Sequence, residues 1–192
     1  MNLLHKHRIA PADPGQVQVD RVLVGEAAVS LHRLYLASFD HLRTEAAARQ
    51  VLHPGEFLEE MADSRILKYT VWLSPTEPLA LATVTNQLEA VTWISPEFFA
   101  ARHPAQAARS SIYYLGIALV NPGRGQYRLL ERIVNELAAP CVAEKGVLAY
   151  DMCAFNNRTV RFGARAEAIL KRLARVQVDV ADTQTYFEAK FL

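Results

Sequence analysis

Nothing in this chain of 192 residues is long and apolar enough to cross a bilayer: no run of 18 apolar residues occurs, so no transmembrane helix is expected. Cysteine is scarce. Cys141 and Cys153 lack the short spacing of a metal site, and their settings in a helical and a strand pattern read as core thiols, not as a disulfide. The six histidines are dispersed, which leaves no ligand cluster and no structural metal to expect. Neither sign of charge dominates, because 21 Lys and Arg against 20 Asp and Glu leave +1. The basic stripe of a nucleic-acid binder is missing; only His5-Lys6-His7-Arg8 and Lys171-Arg172 cluster, and both read as solvated faces. The first residues carry charge without a long apolar segment behind it, so no signal peptide is expected and the cytoplasm is the expected location.

What is present is the composition of one α/β domain, 51% hydrophobic and 21% charged, with residues 1–18 expected as a flexible N-terminal arm. Val17, Val19, Val22 and Val24 suggest a first strand. Residues 27–42 repeat Leu31, Leu34, Tyr35 and Phe39 at helical spacing. Two further helices are expected over 44–52 and 56–62. Residues 66–73 and 79–85 flank Ser74-Pro75-Thr76-Glu77-Pro78 and read as an antiparallel hairpin. Ser95-Pro96 is a helix start, a capping hydroxyl followed by proline at the first helical position.

Residues 111–120 are apolar on both faces, as a central strand must be. The long helix over 126–145 carries Leu129, Leu130, Ile133, Val134 and Leu137 on one stripe, and Pro140 should kink it or stop it early. A strand over 147–155 follows and should run parallel to the central one by the right-handed crossover rule. A helix over 156–174 comes next, and the alternating segments 176–180 and 185–191 suggest a closing hairpin. The fold class is therefore α+β: a mixed, mostly antiparallel sheet with helices on both faces.

The chemistry-bearing segment is Val120-Asn121-Pro122-Gly123-Arg124-Gly125-Gln126, where a buried strand enters a glycine turn that opens a helix. Free N–H groups at a helix start hold phosphate, glycine allows close approach, and Arg124 adds charge. The same loop is equally a plain strand–helix turn. No Gly-Lys-Ser/Thr follows, so it is not a Walker loop, and the third glycine of a dinucleotide fingerprint is missing.

The order of elements, the Gly123-Arg124-Gly125 turn with Leu129-Leu130 behind it, and Asn156-Asn157-Arg158-Thr159-Val160-Arg161-Phe162 at the end of the next strand resemble the GNAT superfamily of acyl-CoA N-acyltransferases over residues 20–191. That resemblance implies acetyl-CoA or another acyl-CoA as co-substrate, with no metal. The pantetheine arm would lie on the backbone of residues 117–120, Leu119 and Val120 included. The pyrophosphate would sit on Gly123, Arg124, Gly125 and Gln126, and Asn156 would reach the cofactor's edge.

The family's acid tyrosine would fall at Gly163, so Tyr113 or Tyr114 is expected to protonate the leaving thiolate; neighbours on a strand point to opposite faces, so one of them faces the cleft. Glu89 is the candidate to take the amine's proton, ahead of Glu97 and His103. Trp93, Phe98 and Phe99 are candidates to wall a pocket, and Asp151 and Cys153 lie on one face of the strand beside the cleft. The implied activity is transfer of an acyl group, expected to be acetyl, to a primary amine of a small molecule or peptide by direct attack. Two alternatives accompany it: a long-chain N-acyl transferase fed by acyl carrier protein, and a GNAT-like module that binds without turnover. Pairing of protomers into a homodimer through exposed sheet edges is compatible with each.

Overall fold

The computed structural model describes residues 15–122 and 126–192. The chain runs β1 (Val17–Asp20), α1 (Gly25–Phe39), α2 (Leu42–Glu45), α3 (Pro54–Ala62), β2 (Leu67–Ser74) and β3 (Glu77–Thr85). It continues through α4 (Pro96–Arg102), α5 (Pro104–Ala107), β4 (Ile112–Val120), α6 (Gln126–Ala143), β5 (Val147–Tyr150) and α7 (Phe162–Leu173). Among the described residues five strands form one sheet in chain order, antiparallel from β1 to β4 and parallel between β4 and β5. The predicted hairpin and the predicted parallel crossover are both present.

Each face of the sheet is closed by helices, and the apolar stripes of α1 and α6 are the ones expected from the sequence. On one face Leu31, Leu34 and Tyr35 of α1 and Phe57 and Met61 of α3 pack on Leu81, Ile117 and Leu119. On the other, Ile133, Val134 and Leu137 of α6 and Ile169 of α7 pack on Ala82, Val84 and Leu115. A smaller cluster of Leu88, Val91, Ile112 and Tyr114 joins the β3–β4 connection to the sheet. Burying a large aliphatic side chain is worth about 1.5–3 kcal/mol, so these layers supply most of the drive to fold.

Lys68 is the one lysine fully buried among the described residues. Its Nζ donates to the Arg21 carbonyl at 2.9 Å and the Asp63 carbonyl at 2.6 Å. It thereby ties the turn after β1 to the C-terminal end of α3. Burial pulls its ammonium down to about 8, against the nearby carboxylates of Asp63, Glu60 and Asp20, which favour the charged form.

Four expectations need correction. The helix predicted over 44–52 stops at Glu45 and gives way to an extended run. Tyr35 holds that run, donating to the Gln50 carbonyl at 3.1 Å and accepting the Leu52 N–H at 2.9 Å, while Val51 is buried. The strand expected over 147–155 closes at Tyr150. The helix expected over 156–174 is broken: a π-helical turn covers Phe155–Thr159, Arg161 takes a left-handed conformation at φ 56°, and only then does α7 begin.

The closing hairpin does not form. Residues 175–192 carry no strand, and their alternating side chains find no sheet to pair with. Pro140 sits inside α6, which continues to Ala143 before ending.

Candidate functional site

The site begins with a fault in β4. Ala82 faces Ala118 and Val84 faces Leu115, so two steps on β3 match three on β4, and the extra residue lies at Gly116–Ile117. At this bulge the Ile117 N–H donates to the Thr83 side-chain oxygen at 2.9 Å. The Thr83 hydroxyl in turn donates to Glu60 Oε1 at 2.9 Å. Gly116 belongs here because a Cβ would come within 3.1 Å of Thr83 Oγ1 and 3.8 Å of Glu60 Oε1.

Glu60 arrives from α3, whose start is fixed locally. Pro54 opens the helix, and Glu56 folds back to accept the His53 N–H at 2.8 Å while pairing with Arg49 at 2.6 Å. Glu56, Glu60 and Asp63 recur at four- and three-residue spacing, so they share one face while Phe57 and Met61 bury the other. Enclosure raises the Glu60 carboxyl above its usual range; the Thr83 hydrogen bond and Lys68 pull the other way, and Asp63 adds to the rise. Glu56 goes down to about 2, held by the hydrogen bond from Arg49 and the His53 amide.

These groups line a cleft of about 330 Å³, whose walls include Glu60, Thr83, Gly116, Tyr114, Val91 and Trp93. A separate void of about 20 Å³ under α6 and α7 is apolar throughout and is a packing gap.

The second fault is a fork. β4 pairs with β5 only from Ile112–Val147 to Leu115–Tyr150, and then runs on to Val120 paired with β3 but not with β5. Five residues, 116–120, thus extend past the last β5 pair. At the fork the Tyr114 hydroxyl donates to Asp151 Oδ1, across from one strand to the residue after the other. The Tyr114 ring is buried and meets Trp93 and Phe99 edge-on, at 6.4 and 6.2 Å between centroids. Burial first, and then the Asp151 carboxylate, push its phenol far above the usual tyrosine range. It therefore remains protonated, a permanent hydrogen-bond donor.

The two candidate tyrosines separate as strand neighbours must. Tyr113 packs among the α6 side of the core, and its hydroxyl donates to Glu144 at 2.9 Å. Burial and that carboxylate push it up to about 12. Tyr114 lines the cleft. Glu89 stands exposed on a short turn (Leu88–Ala90), with its neighbour Ala90 in the cleft wall.

Glu97 hydrogen-bonds the capping Ser95 hydroxyl at 2.9 Å, and Ser95 accepts the Phe98 N–H at 3.2 Å, as the Ser95-Pro96 start predicted. Leu119 is buried toward α1 and Val120 is half-buried toward α6. Gly123, Arg124 and Gly125 lie outside the described residues, and the backbone of Gln126 opens α6. Asn156 lies half-buried in the π-helical turn. Gly163 is pressed against Asn157, whose Oδ1 would stand 2.8 Å from a Cβ, so the position has no room for a side chain without a shift.

Sequence reasoning missed Glu60, Thr83 and Gly116. Each left a signal: carboxylates at helical spacing in 56–63, hydroxyls at 83 and 85 inside an otherwise apolar strand, and a glycine in the middle of the strongest strand.

Comparison with protein-family models, with curated proteins and with solved structures found no match. The architecture is thus assigned as a mixed, mostly antiparallel five-stranded sheet with helices on both faces. Among the described residues no helix is long and apolar enough to cross a membrane, and no group of three or more His, Cys, Asp or Glu could hold a metal ion.

Proposed function

We propose that the chain is an N-acyltransferase that moves an acyl group from a CoA thioester to a primary amine. The observation that carries this reading is the fork: β4 is bulged at Gly116–Ile117 and continues five residues beyond β5, beside a cleft that holds an enclosed carboxyl. An extended, amide-containing arm can bond to a bare strand edge as an added strand would. Followed along β4, that edge leads to the start of α6, where helix N–H groups and the helix dipole favour a phosphate.

In this reading the amine nitrogen attacks the thioester carbonyl in one step. The C–N bond forms, the C–S bond breaks, and the products are an amide and free thiol. Glu60 takes the proton from the attacking nitrogen; its raised affinity for a proton suits it to the task better than an exposed carboxylate. The Tyr114 hydroxyl, turning from Asp151, donates a hydrogen bond to the leaving sulfur, and solvent water supplies the thiol's proton. Glu89, exposed on the turn beside the cleft-wall residue Ala90, is the site for the first contact with the ammonium.

Trp93, Val91 and Ile66 give the cleft an apolar wall. This favours donors longer than acetyl as well, including one presented by acyl carrier protein. Calorimetric titration of the protein with CoA, acetyl-CoA and a long-chain acyl-CoA tests the reading. Saturable binding that Gly116→Val weakens at least 10-fold supports it. Absence of binding by any of the three would overturn the CoA reading.

A further inference from the structure

We propose that two copies of this chain pair by exchanging their C-terminal ends, each laying residues 185–191 along the outer edge of the other copy's β5.

Two unsatisfied features meet in this proposal. The first is the edge of the sheet. Among the described residues β5 has a strand on one side only, and its four residues, Val147, Leu148, Ala149 and Tyr150, are all apolar and half-buried. An apolar strand at the edge of a sheet, paired on one side, is a template for another strand. The second is the chain end. After α7 residues 175–192 form neither helix nor strand, Val176 and Val178 are still half-covered, and every residue from Asp179 onward is exposed. Phe187 is 94% exposed and Phe191 96%. Large aromatic side chains left in water on one stretch of chain mark a surface made to be covered.

The two features fit. Phe187, Ala189 and Phe191 alternate with Tyr186, Glu188 and Lys190, which is the period of a strand with one apolar face. Seven residues are enough to pair with the four of β5. Residues 179–192 extended span up to about 45 Å, ample to reach a neighbouring molecule while Val176 and Val178 stay anchored on their own body. Asp179 to Gln184 would be the hinge. Because each copy offers both the edge and the strand, a two-fold arrangement satisfies both at once and closes the assembly at two.

Light scattering after size exclusion, on the full chain across a concentration series, tests this against a chain ending at Val178 and against the double variant Phe187→Lys/Phe191→Lys. The full chain is expected as a dimer. The shortened chain is expected to be monomeric, and the double variant's dissociation constant to rise at least 100-fold. If the shortened chain does not fold, as judged by circular dichroism, the double variant decides alone. Amide hydrogen exchange supplies the second readout: amides 185–191 should be protected in the dimer and exchange freely in the double variant. A monomeric full chain overturns the proposal, whether its amides 185–191 are free or are protected by closure on the same molecule's β5. A dimer that survives in either variant overturns it as well. None of these outcomes depends on acyl transfer.

Discussion

The two sides of β4 are built to different standards. Toward β3 the strand is paired from Tyr114 to Val120 with one bulge, its neighbours Ala80, Leu81 and Ala82 are entirely buried, and the interface is as complete as a core allows. Toward β5 the pairing lasts four residues and stops. The complete side holds the fold together. The incomplete side leaves backbone groups, a cleft and ionisable side chains where a ligand can meet them. A strand with satisfied partners on both sides has no hydrogen-bonding capacity left for a substrate, so the site and the gap in the pairing belong together.

The sharpest way to break this comparison is to disable the cleft without touching the core. Glu60→Gln keeps an acceptor for the Thr83 hydroxyl and removes the base. Acyl transfer measured by thiol release should fall about 100-fold or more while the thermal midpoint stays level or rises. Unchanged turnover would remove Glu60 from the mechanism.

Next come the two tyrosines. Tyr114→Phe should lower kcat about 10- to 100-fold, since it removes the donor at the fork. Tyr113→Phe, which loses only a bond to Glu144 on the far face, should change kcat less than about 2-fold and stability by less than about 0.5 kcal/mol. Equal effects at both positions would erase the distinction between the faces.

Thr83→Val tests the bulge itself. It leaves the Ile117 N–H and one Glu60 oxygen without their partner, and chemical denaturation should register a loss of about 1–2 kcal/mol.

The smallest expected effect is in the pH dependence of stability. Glu60 binds its proton more tightly folded than unfolded, so its contribution is fully present below the ordinary glutamate range and is lost as pH rises through its raised value. Denaturation midpoints of the parent and Glu60→Gln should therefore diverge as pH climbs from 4, the variant becoming relatively more stable. Lys68 works oppositely. Its folded value is lowered to about 8 from 10.5, so the unfolded chain holds the proton more tightly between these limits, and this residue's contribution to stability should rise with pH across that window. A Lys68→Met variant should lack that rise.

Much of the fold was legible because periodicity reports burial. Leu31, Leu34 and Tyr35 in α1, and Ile133, Val134 and Leu137 in α6, name the faces that pack, and the both-sided apolarity of 112–120 names the central strand. The same rule misled at 176–191, where the alternation is real but the segment pairs with no strand of its own molecule. It also misled at 44–52, where Tyr35, distant in sequence, fixes an extended run by two hydrogen bonds.

The site was half legible. The cleft is lined from the middle of β4, at Tyr114 and Gly116, and Tyr114 and Trp93 in its wall were among the candidates. Its carboxyl was not. That Glu60 faces Thr83, 23 residues away, and that Tyr114 reaches Asp151, 37 residues away, depends on how α3 and β5 lie against the sheet.

The sequence by itself determined which faces of α1 and α6 are apolar, where α4 and α6 start and which strand sits in the middle, because apolar spacing and capping residues are local properties of the chain. Only the tertiary structure decided which of two adjacent tyrosines meets the cleft, which carboxyl is enclosed and where the pairing of β4 ends, because these depend on contacts between segments whose separation in sequence carries no periodic trace.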